Sequence, residues 1–423
     1  MVAFWGESYR NRFATLLLPS LLAPGNLPLL RAEDGHRFLI ATTRDDWDIA
    51  SKLPMIAALR RHVHPVHVEI PEGKDSGYAA ALHRQTRCLK LLFQTAYPSR
   101  PYGCLLLPDL IVSDGFVAAL LRAAASGERL MVLPALRQVE ESVLGELTAT
   151  GLMSTAGRQP EMAQPITLSP RTVASLALRH LHPEVAIFEE GHPLQPLYPP
   201  FRFWRVPNRD GIILHGFFGL PILMDFAAMP ADHADCLDDY DYETIYLGRN
   251  FPDGAPSVIT DSDECGILSL AEKSLDRSTP RLSERFGLGL TPQYALLANL
   301  RQNIARYCRP HRDLVRRDLF CRAVCWHADD LDDAYRREED QIQNLIERAA
   351  GDYYASGNRL PATISANPRY FMLDLAAVPQ SLMRMAGLVR ILIAAAAGDS
   401  TKAAKLRQVV SALIARYRAL LFR

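Results

Sequence analysis

The four residues at 261–264, Asp-Ser-Asp-Glu, have the clearest potential for chemistry in the sequence. They follow the β-branched run Val-Ile-Thr, which favours a strand, and carboxylates at the carboxyl end of a strand face the crevice where α/β sheets bind ligands. Because hard divalent cations prefer carboxylate oxygens, we predict that Asp261 and Asp263 bind a metal ion. Asp263 and Glu264 are the predicted catalytic residues, with Glu264 as a general base. A solvated turn is the alternative.

Three further polar residues lie next to apolar segments. Asp109 follows the predicted strand at 103–107, which makes it a second candidate for contact with a ligand. Asp114 precedes a predicted helix at 115–125, so it is either a ligand-binding acid or part of the helix N-cap. His215 follows an apolar strand and precedes a glycine, and it is either a metal ligand or a buried structural histidine.

A second acidic cluster occurs at 327–333, where the order is His-Ala-Asp-Asp-Leu-Asp-Asp. Asp329, Asp330 and Asp333 have the Asp-Asp-x-x-Asp spacing of the metal-diphosphate motif of prenyl-chain enzymes, which are all-helical. The strand patterns in the first half of the chain argue against an all-helical protein. The charged residues that follow, at 336–340, favour a solvated helix face instead.

The composition is that of an ordinary globular protein. The chain has 423 residues, 48% of them hydrophobic, which allows two or three domains. The 47 basic residues equal the 47 acidic ones, so no overall positive field attracts nucleic acid. The seven cysteines are scattered and odd in number, which favours a reduced cytoplasmic location. Cys321 and Cys325 are expected on one face of a helix rather than in a zinc site.

Strand and helix patterns alternate between residues 36 and 150. Strands are predicted at 36–43, 66–70, 103–107 and 130–133, and helices at 45–61, 78–97 and 115–125. One more helix is predicted at 170–181, with Ser169 as its N-cap and Pro170 at its first position. Strands separated by helices imply βαβ units and hence a mixed, mostly parallel sheet flanked by helices. We therefore predict an α/β domain over residues 1–273.

From about Ser274 the strand signals end and helical patterns continue, so residues 274–423 are predicted to be a helical C-terminal domain. Its last segment, 401–423, has six basic residues and no acid, with apolar residues at three- and four-residue steps. This pattern predicts a basic amphipathic helix, which either contacts the inner membrane peripherally or docks on its own domain. No apolar stretch reaches the ~20 residues that span a bilayer.

These parts, in their order along the chain, resemble the GT-A class of glycosyltransferases, the nucleotide-diphospho-sugar transferase superfamily. The shared features are an early strand ending in Ala-Thr-Thr at 41–43, alternating βα units, acids at strand ends, and a late segment with His215, Gly219 and Pro221. The segment at 5–28 also resembles uncharacterised bacterial proteins placed near that class. The resemblance covers residues 1–270.

The resemblance implies a GT-A-like fold, a nucleotide-sugar donor, an Mg²⁺ or Mn²⁺ ion at its diphosphate, and an acceptor hydroxyl. The predicted donor contacts are Thr42, Asp109 and Asp114, and the predicted metal ligands are Asp261, Asp263 and His215. The family's usual metal motif lies near Asp109, which has no second Asp two residues away. Either the metal site is assembled elsewhere, or the chain is a non-catalytic carbohydrate- or partner-binding protein.

Overall fold

The computed structural model describes residues 1–71, 73, 78–192, 201–216, 219–233, 256–275 and 322–355. The chain divides into two compact units, one made of Met1–Arg281 with Leu290–Gly351 and the other of Leu282–Gly289 with Asp352–Arg423. Nearly all described residues belong to the first unit. The predicted amphipathic segment at 401–423 and most of the predicted helical domain lie outside the described residues.

The described residues form a mixed α/β structure, which agrees with the predicted α/β class. The strands are β1 (Val2–Ala3), β2 (Arg37–Thr42), β3 (His64–Glu69), β4 (Tyr102–Gly103), β5 (Leu110–Val112), β6 (Leu130–Leu133), β7 (Arg137–Val139), β8 (Phe201–Arg205), β9 (Gly211–Gly216), β10 (Leu220–Asp225), β11 (Ser257–Val258), β12 (Ile267–Ala271) and β13 (Val324–His327).

The helices alternate with these strands in the first half of the chain. They are α1 (Glu7–Arg12), α2 (Leu18–Leu21), α3 (Arg44–Ala50), α4 (Pro54–Leu59), α5 (Tyr78–Ala96), α6 (Phe116–Ala125), α7 (Glu140–Ala149), α8 (Pro170–Arg179), α9 (Pro183–Ala186) and α10 (Asp333–Ala355). A wider, π-type turn (Phe13–Leu17) joins α1 to α2. In the described segments, no helix has both the length and the apolar character needed to cross a bilayer.

Two sheets form one mostly parallel layer. β1, β2 and β3 pair in parallel, and the order of the second sheet is β11-β6-β10-β4, in which β10 alone runs antiparallel. The amide of Leu106 donates to the carbonyl of Met1 at 2.9 Å, and Leu106 bridges Val2 in parallel. In this layer, the carboxyl ends of all strands except β10 therefore share one edge, which we call the carboxyl edge.

A second layer contains the sheets β5-β12-β7 and β13-β9-β8. Residues from both sheets share one apolar core with α7 and α8, and its buried members include Val173, Leu176, Leu214, Leu268 and Trp326. Burial of this continuous apolar surface fixes the two sheets against the helices. The second acidic cluster, at 327–333, begins at the end of β13 of this layer.

Several predicted elements differ from the observed ones. The helix predicted at 45–61 is two helices, because Pro54 lacks an amide hydrogen and starts α4 instead of continuing α3. The strand predicted at 103–107 is confined to Tyr102–Gly103, with one further bridge at Leu106.

The prediction that the chain is all-helical from residue 274 is wrong at Val324–His327. These residues form β13, which pairs antiparallel with β9, so Cys325 lies in a strand rather than on a helix. All four residues of β13 are buried. A strand buried on both faces shows no alternation of polar and apolar residues, and its periodicity cannot be distinguished from that of a helix.

Candidate metal centre

Residues 259–263 leave β11 at the carboxyl edge and run beside β13. The amide of Cys325 donates to the carbonyl of Thr260 at 2.7 Å, and the amide of Ser262 donates to the carbonyl of Cys325 at 3.0 Å. The predicted position of the 261–264 group, directly after a strand of the sheet, agrees with the structure. The pairing with β13 brings the second acidic cluster, at 327–333, next to the first.

His327, at the end of β13, is fully buried between the two clusters. Its Nε2 lies 2.8 Å from Oδ1 of Asp261, and its Nδ1 lies 2.6 Å from the carbonyl oxygen of Asp329. A carbonyl oxygen and an ionised carboxylate only accept hydrogen bonds, so both ring nitrogens face acceptors. The His327 amide also donates to the hydroxyl of Ser262 at 3.0 Å. These contacts fix the orientation of the imidazole ring.

Asp261, Asp263 and His327 each offer one ligand atom, and the three atoms lie within 4.8 Å of one another. The Asp263 carboxylate is bonded to Arg171, whose Nε donates to Oδ1 at 3.1 Å and whose Nη2 donates to Oδ2 at 2.9 Å. Nη1 of Arg171 donates to Asp330 at 2.6 Å. Arg171 therefore bridges the two acidic clusters, and its partners raise its pKa further above the ordinary range.

The first turn of α8 places Arg171 at this point. The hydroxyl of Ser169 accepts from the amide of Thr172 at 3.1 Å, and Pro170 is the first helical residue, which confirms the predicted helix start. The chain can pass close to α8 after Glu264 because residue 266 is glycine: a Cβ there would lie 2.8 Å from Cγ1 of Val173. Arg171 is not among the residues predicted to form the site, because its short-range sequence context has no signal for such a role.

The Asp-Asp-x-x-Asp residues do not lie together on a helix, because α10 begins only at Asp333. Oδ1 of Asp329 accepts a hydrogen bond from the hydroxyl of Tyr335 at 2.5 Å, and its Oδ2 accepts from the amide of Asp210 at 3.2 Å. Tyr335 packs on Gly211, where a Cβ would lie 2.0 Å from the phenol oxygen. Burial and Asp329 raise the pKa of Tyr335 above its ordinary range. Asp329 is thus held structurally, and the all-helical prenyl-enzyme alternative is wrong.

Glu264, the predicted general base, is exposed beside Asp261 and is not one of the three converging residues. Partial burial raises the pKa of Glu264, the charge of Asp261 raises it further, and Arg122 opposes both effects. A carboxylate with a raised pKa accepts protons more readily near neutral pH, which suits general-base catalysis.

His215 does not lie near Asp261 and Asp263. The antiparallel register places His327 opposite Gly211 and Val324 opposite Leu214, so His215 lies four residues from the His327 end of β9, about 13 Å along the strand. His215 is fully buried, with its ring edge-on to Trp204 at 5.9 Å. The structure therefore brings His327, and not the predicted His215, next to Asp261 and Asp263. Both histidines follow a short apolar run, so the local sequence does not distinguish them.

Asp109 lies at the start of β5, where its carbonyl accepts from the amide of Leu270 at 3.0 Å. Ser113, just after β5, contacts Gly266. The four residues from Asp109 to Ser113 span about 13 Å, and this distance separates Asp109 from the segment after Glu264. Burial raises the pKa of Asp109 to about 6, and Arg137 and Arg12 partly offset this effect. The structure does not bring Asp109 into the acidic cluster.

Asp114 and Thr42 also lie away from the cluster. Oδ1 of Asp114 accepts from the amide of Gly25 at 2.6 Å, and α6 begins after Gly115 without a side-chain cap, so Asp114 fixes an N-terminal loop and does not cap the helix. Thr42 is fully buried at the end of β2, and within the described segments its hydroxyl has no hydrogen-bond partner.

Two carboxylates, one imidazole and a bridging guanidinium thus meet at the carboxyl edge of the sheet. Carboxylate and imidazole groups are common metal ligands, and a guanidinium fork matches the geometry of carboxylates and phosphates. A comparison with models of known protein families and with curated proteins finds no match.

Proposed function

We propose that this protein is a cytoplasmic, bacterial-type glycosyltransferase with a GT-A-like fold. It transfers a sugar from a nucleotide-diphospho-sugar to an acceptor hydroxyl and uses a divalent cation. The proposal rests on one observation, the convergence of Asp261, Asp263 and His327 within 4.8 Å at the carboxyl edge. Ligands of α/β proteins bind at this edge of the sheet.

The donor atoms fit a divalent cation. Oxygen ligands alone suit Mg²⁺, whereas a set that includes an imidazole nitrogen suits a transition metal better, so Mn²⁺ is the better match of the two. Such an ion supplies positive charge that stabilises the departing diphosphate. His327 would bind it through the lone pair of Nε2, because Nδ1 faces the carbonyl oxygen of Asp329, which only accepts hydrogen bonds.

The chain's own residues have defined parts in this proposal. Glu264 accepts the proton of the acceptor hydroxyl, because its raised pKa improves it as a base near neutral pH. Arg171 would orient the diphosphate through its planar fork of N–H donors, which matches the geometry of phosphate oxygens.

The arrangement of the parallel layer supports the proposal of a GT-A-like fold. The chain passes from β1 to β2 and β3 on one side and returns to β4 and Leu106 on the other. Strand order reverses at this point, where α/β sheets have a ligand-binding crevice at their carboxyl ends. We assign the nucleotide to this edge of the sheet.

A non-catalytic role is the second candidate, and one observation favours it. Arg171 already pairs with both Asp263 and Asp330, and His327 already contacts Asp261. A cluster whose charges are satisfied internally can be a structural link between β13, α8 and the 261–264 turn. The protein would then bind a carbohydrate or a partner through a GT-A-like shell.

Thermal-shift measurements distinguish the two candidates. The full chain is heated with UDP-, GDP-, dTDP- and CMP-sugars, with and without Mn²⁺, because a ligand that binds only the folded state raises the melting temperature. The transferase requires a shift that depends on both Mn²⁺ and one nucleotide. Absence of any shift favours the non-catalytic role.

A matched pair of variants tests the site itself. Asp263→Asn removes a proposed ligand and an Arg171 partner, whereas Asp330→Asn removes only an Arg171 partner. We expect the Mn²⁺-dependent shift to disappear in the first variant and to persist in the second. Equal shifts in both variants would remove Asp263 from the metal site.

A further inference from the structure

An apolar cavity of about 510 Å³ lies at the opposite edge of the parallel layer from the acidic cluster. Its lining includes residues at the beginnings of strands, among them Arg37 at the start of β2 and Tyr102 at the start of β4. The amino ends of these strands are one strand length, about 20 Å for six residues, from the carboxyl edge. The cavity is therefore distinct from the proposed sugar-transfer site.

The inner wall of the cavity is hydrocarbon. It is lined by buried side chains of α2, β2, α6 and β10, and by Leu106 after β4: Leu21, Phe38, Leu106, Phe116, Leu120 and Leu223. Protein interiors are normally packed without voids of this size. Such a wall offers few hydrogen-bond partners to water, and a cavity of this volume falls in the range of small-molecule binding sites, about 300–1,000 Å³.

The mouth of the cavity has a different character. Tyr102 and Leu121 line it and are 42% and 40% exposed, so the lining passes from buried to open surface. Arg37 lies at this rim and donates a hydrogen bond to the hydroxyl of Ser99. A guanidinium has five N–H donors, so the bond to Ser99 leaves donors for a second acceptor. Asp34 is on the same rim, which limits the anionic charge that the mouth tolerates.

We propose that this cavity binds a single-chain amphiphile with a singly charged anionic head, of which a fatty acid is the simplest example. The chain lies among the apolar side chains of the wall, and its burial drives binding. The carboxylate lies at the mouth and accepts hydrogen bonds from Arg37, for which an anion is the matching charge.

Calorimetric titration of the full chain with dodecanoate, dodecanol and dodecyltrimethylammonium, each below its micelle concentration, tests the chain and the head group separately. We expect dodecanoate to bind, and dodecanol to bind about tenfold more weakly, a difference of about 1.4 kcal/mol. The cationic amphiphile is expected to bind most weakly. Failure of dodecanoate to bind, or tighter binding of the cationic compound, would overturn the proposal.

Two neighbouring alanines of α6 provide a matched test of the location. Ala124 lines the cavity, whereas Ala125 is exposed and does not. Ala124→Phe fills the cavity and should reduce dodecanoate affinity at least about tenfold, while Ala125→Phe should leave it unchanged. Equal affinities in the two variants would exclude this cavity as the binding site.

A surface variant tests the head group without disturbing the wall. Arg37→Gln should weaken dodecanoate about tenfold and leave dodecanol unchanged. Arg44→Gln, at an exposed arginine of α3, is the control and should change neither affinity. Equal losses for dodecanoate and dodecanol in Arg37→Gln would contradict the assignment of the carboxylate to Arg37. Melting curves show which variants are folded, and Arg37→Gln tests the proposal even if Ala124→Phe does not fold.

Discussion

Two acid-bearing loops at the carboxyl edge, one at 107–110 and one at 259–264, look alike in the sequence and differ in the folded protein. In each loop, an apolar run precedes the acidic residue. Asp109 is half-buried near Arg12 and Arg137, and burial raises its pKa to about 6. Asp261 instead meets His327 and Asp263, whose ligand atoms converge with its own.

The difference arises from partners that are distant in sequence. β13 contributes His327 from 66 residues away along the chain, and α8 contributes Arg171 from 92 residues away. Among the described residues, Asp109 does not belong to a group of three or more histidine, cysteine or acidic residues whose ligand atoms converge. A carboxylate at a strand end therefore becomes a candidate metal ligand only when the tertiary structure adds further ligands.

The largest contrast between the two loops is expected in catalysis. Asp261→Asn keeps a side-chain oxygen beside His327 but removes the negative charge that would hold the cation. Sugar transfer should therefore fall by at least about 100-fold, because the cation's positive charge no longer stabilises the diphosphate. Asp109→Asn should stay within a few-fold of the wild type. Steady-state rates with the donor found by thermal shift measure both. The reverse result would move the metal site to Asp109.

Asp114 extends the comparison to stability. Asp114→Ala leaves the amide of Gly25 without its acceptor, and loss of a hydrogen bond to a charged group costs roughly 1.5–3 kcal/mol. Urea unfolding measures this loss. The control is Asp48→Ala, which removes an exposed carboxylate that pairs with Arg44 at 3.6 Å. A loss in the control as large as that in Asp114→Ala would show that the Gly25 contact does not stabilise the loop.

Asp109 is expected to make the free energy of unfolding depend on pH, and the effect should be smaller than that of Asp114→Ala. Its folded pKa of about 6 exceeds the ordinary value, so between about pH 4 and pH 6 the folded state holds a proton that the unfolded chain releases. Ionisation then destabilises the fold as the pH rises, by at most about 1.4 kcal/mol for each pH unit by which the folded pKa is raised. Because Asp109 is only half-buried and solvent screens part of this effect, Asp109→Asn, which stays neutral, should be more stable by roughly 1–2 kcal/mol above pH 6. Near pH 4 the two proteins should unfold at the same urea concentration. A pH-independent difference would contradict this account.

Local signals predicted much of the fold and half of the site. The alternation of strands and helices, the Ser169-Pro170 helix start and the position of Asp261 and Asp263 after a strand each depend on a few neighbouring residues. These features agree with the structure because short-range backbone preferences and the tertiary fold favour the same conformation there.

The remaining features depend on pairing over long distances. β13 has only four residues, all buried, and its register on β9 decides that His327 rather than His215 faces the acids. A one-residue change in register would turn the side chains of a strand to the opposite face, and nothing in the local sequence at 324–327 specifies that register. Arg171 was likewise not recognisable, because its role exists only after α8 packs against the 261–266 segment.

Substitution of Arg171 is expected to give the smallest effect, a change in the Mn²⁺ affinity of the acidic cluster. Its guanidinium occupies both oxygens of Asp263, so it competes with a cation for the same carboxylate. Arg171→Gln should therefore bind Mn²⁺ several-fold more tightly in calorimetry, and the gain should shrink at high salt, where the exposed ion pair is already screened. Arg179→Gln, on the same helix but paired with Glu146, should bind Mn²⁺ like the wild type. Weaker Mn²⁺ binding in Arg171→Gln would mean that Arg171 organises the ligands rather than blocking them.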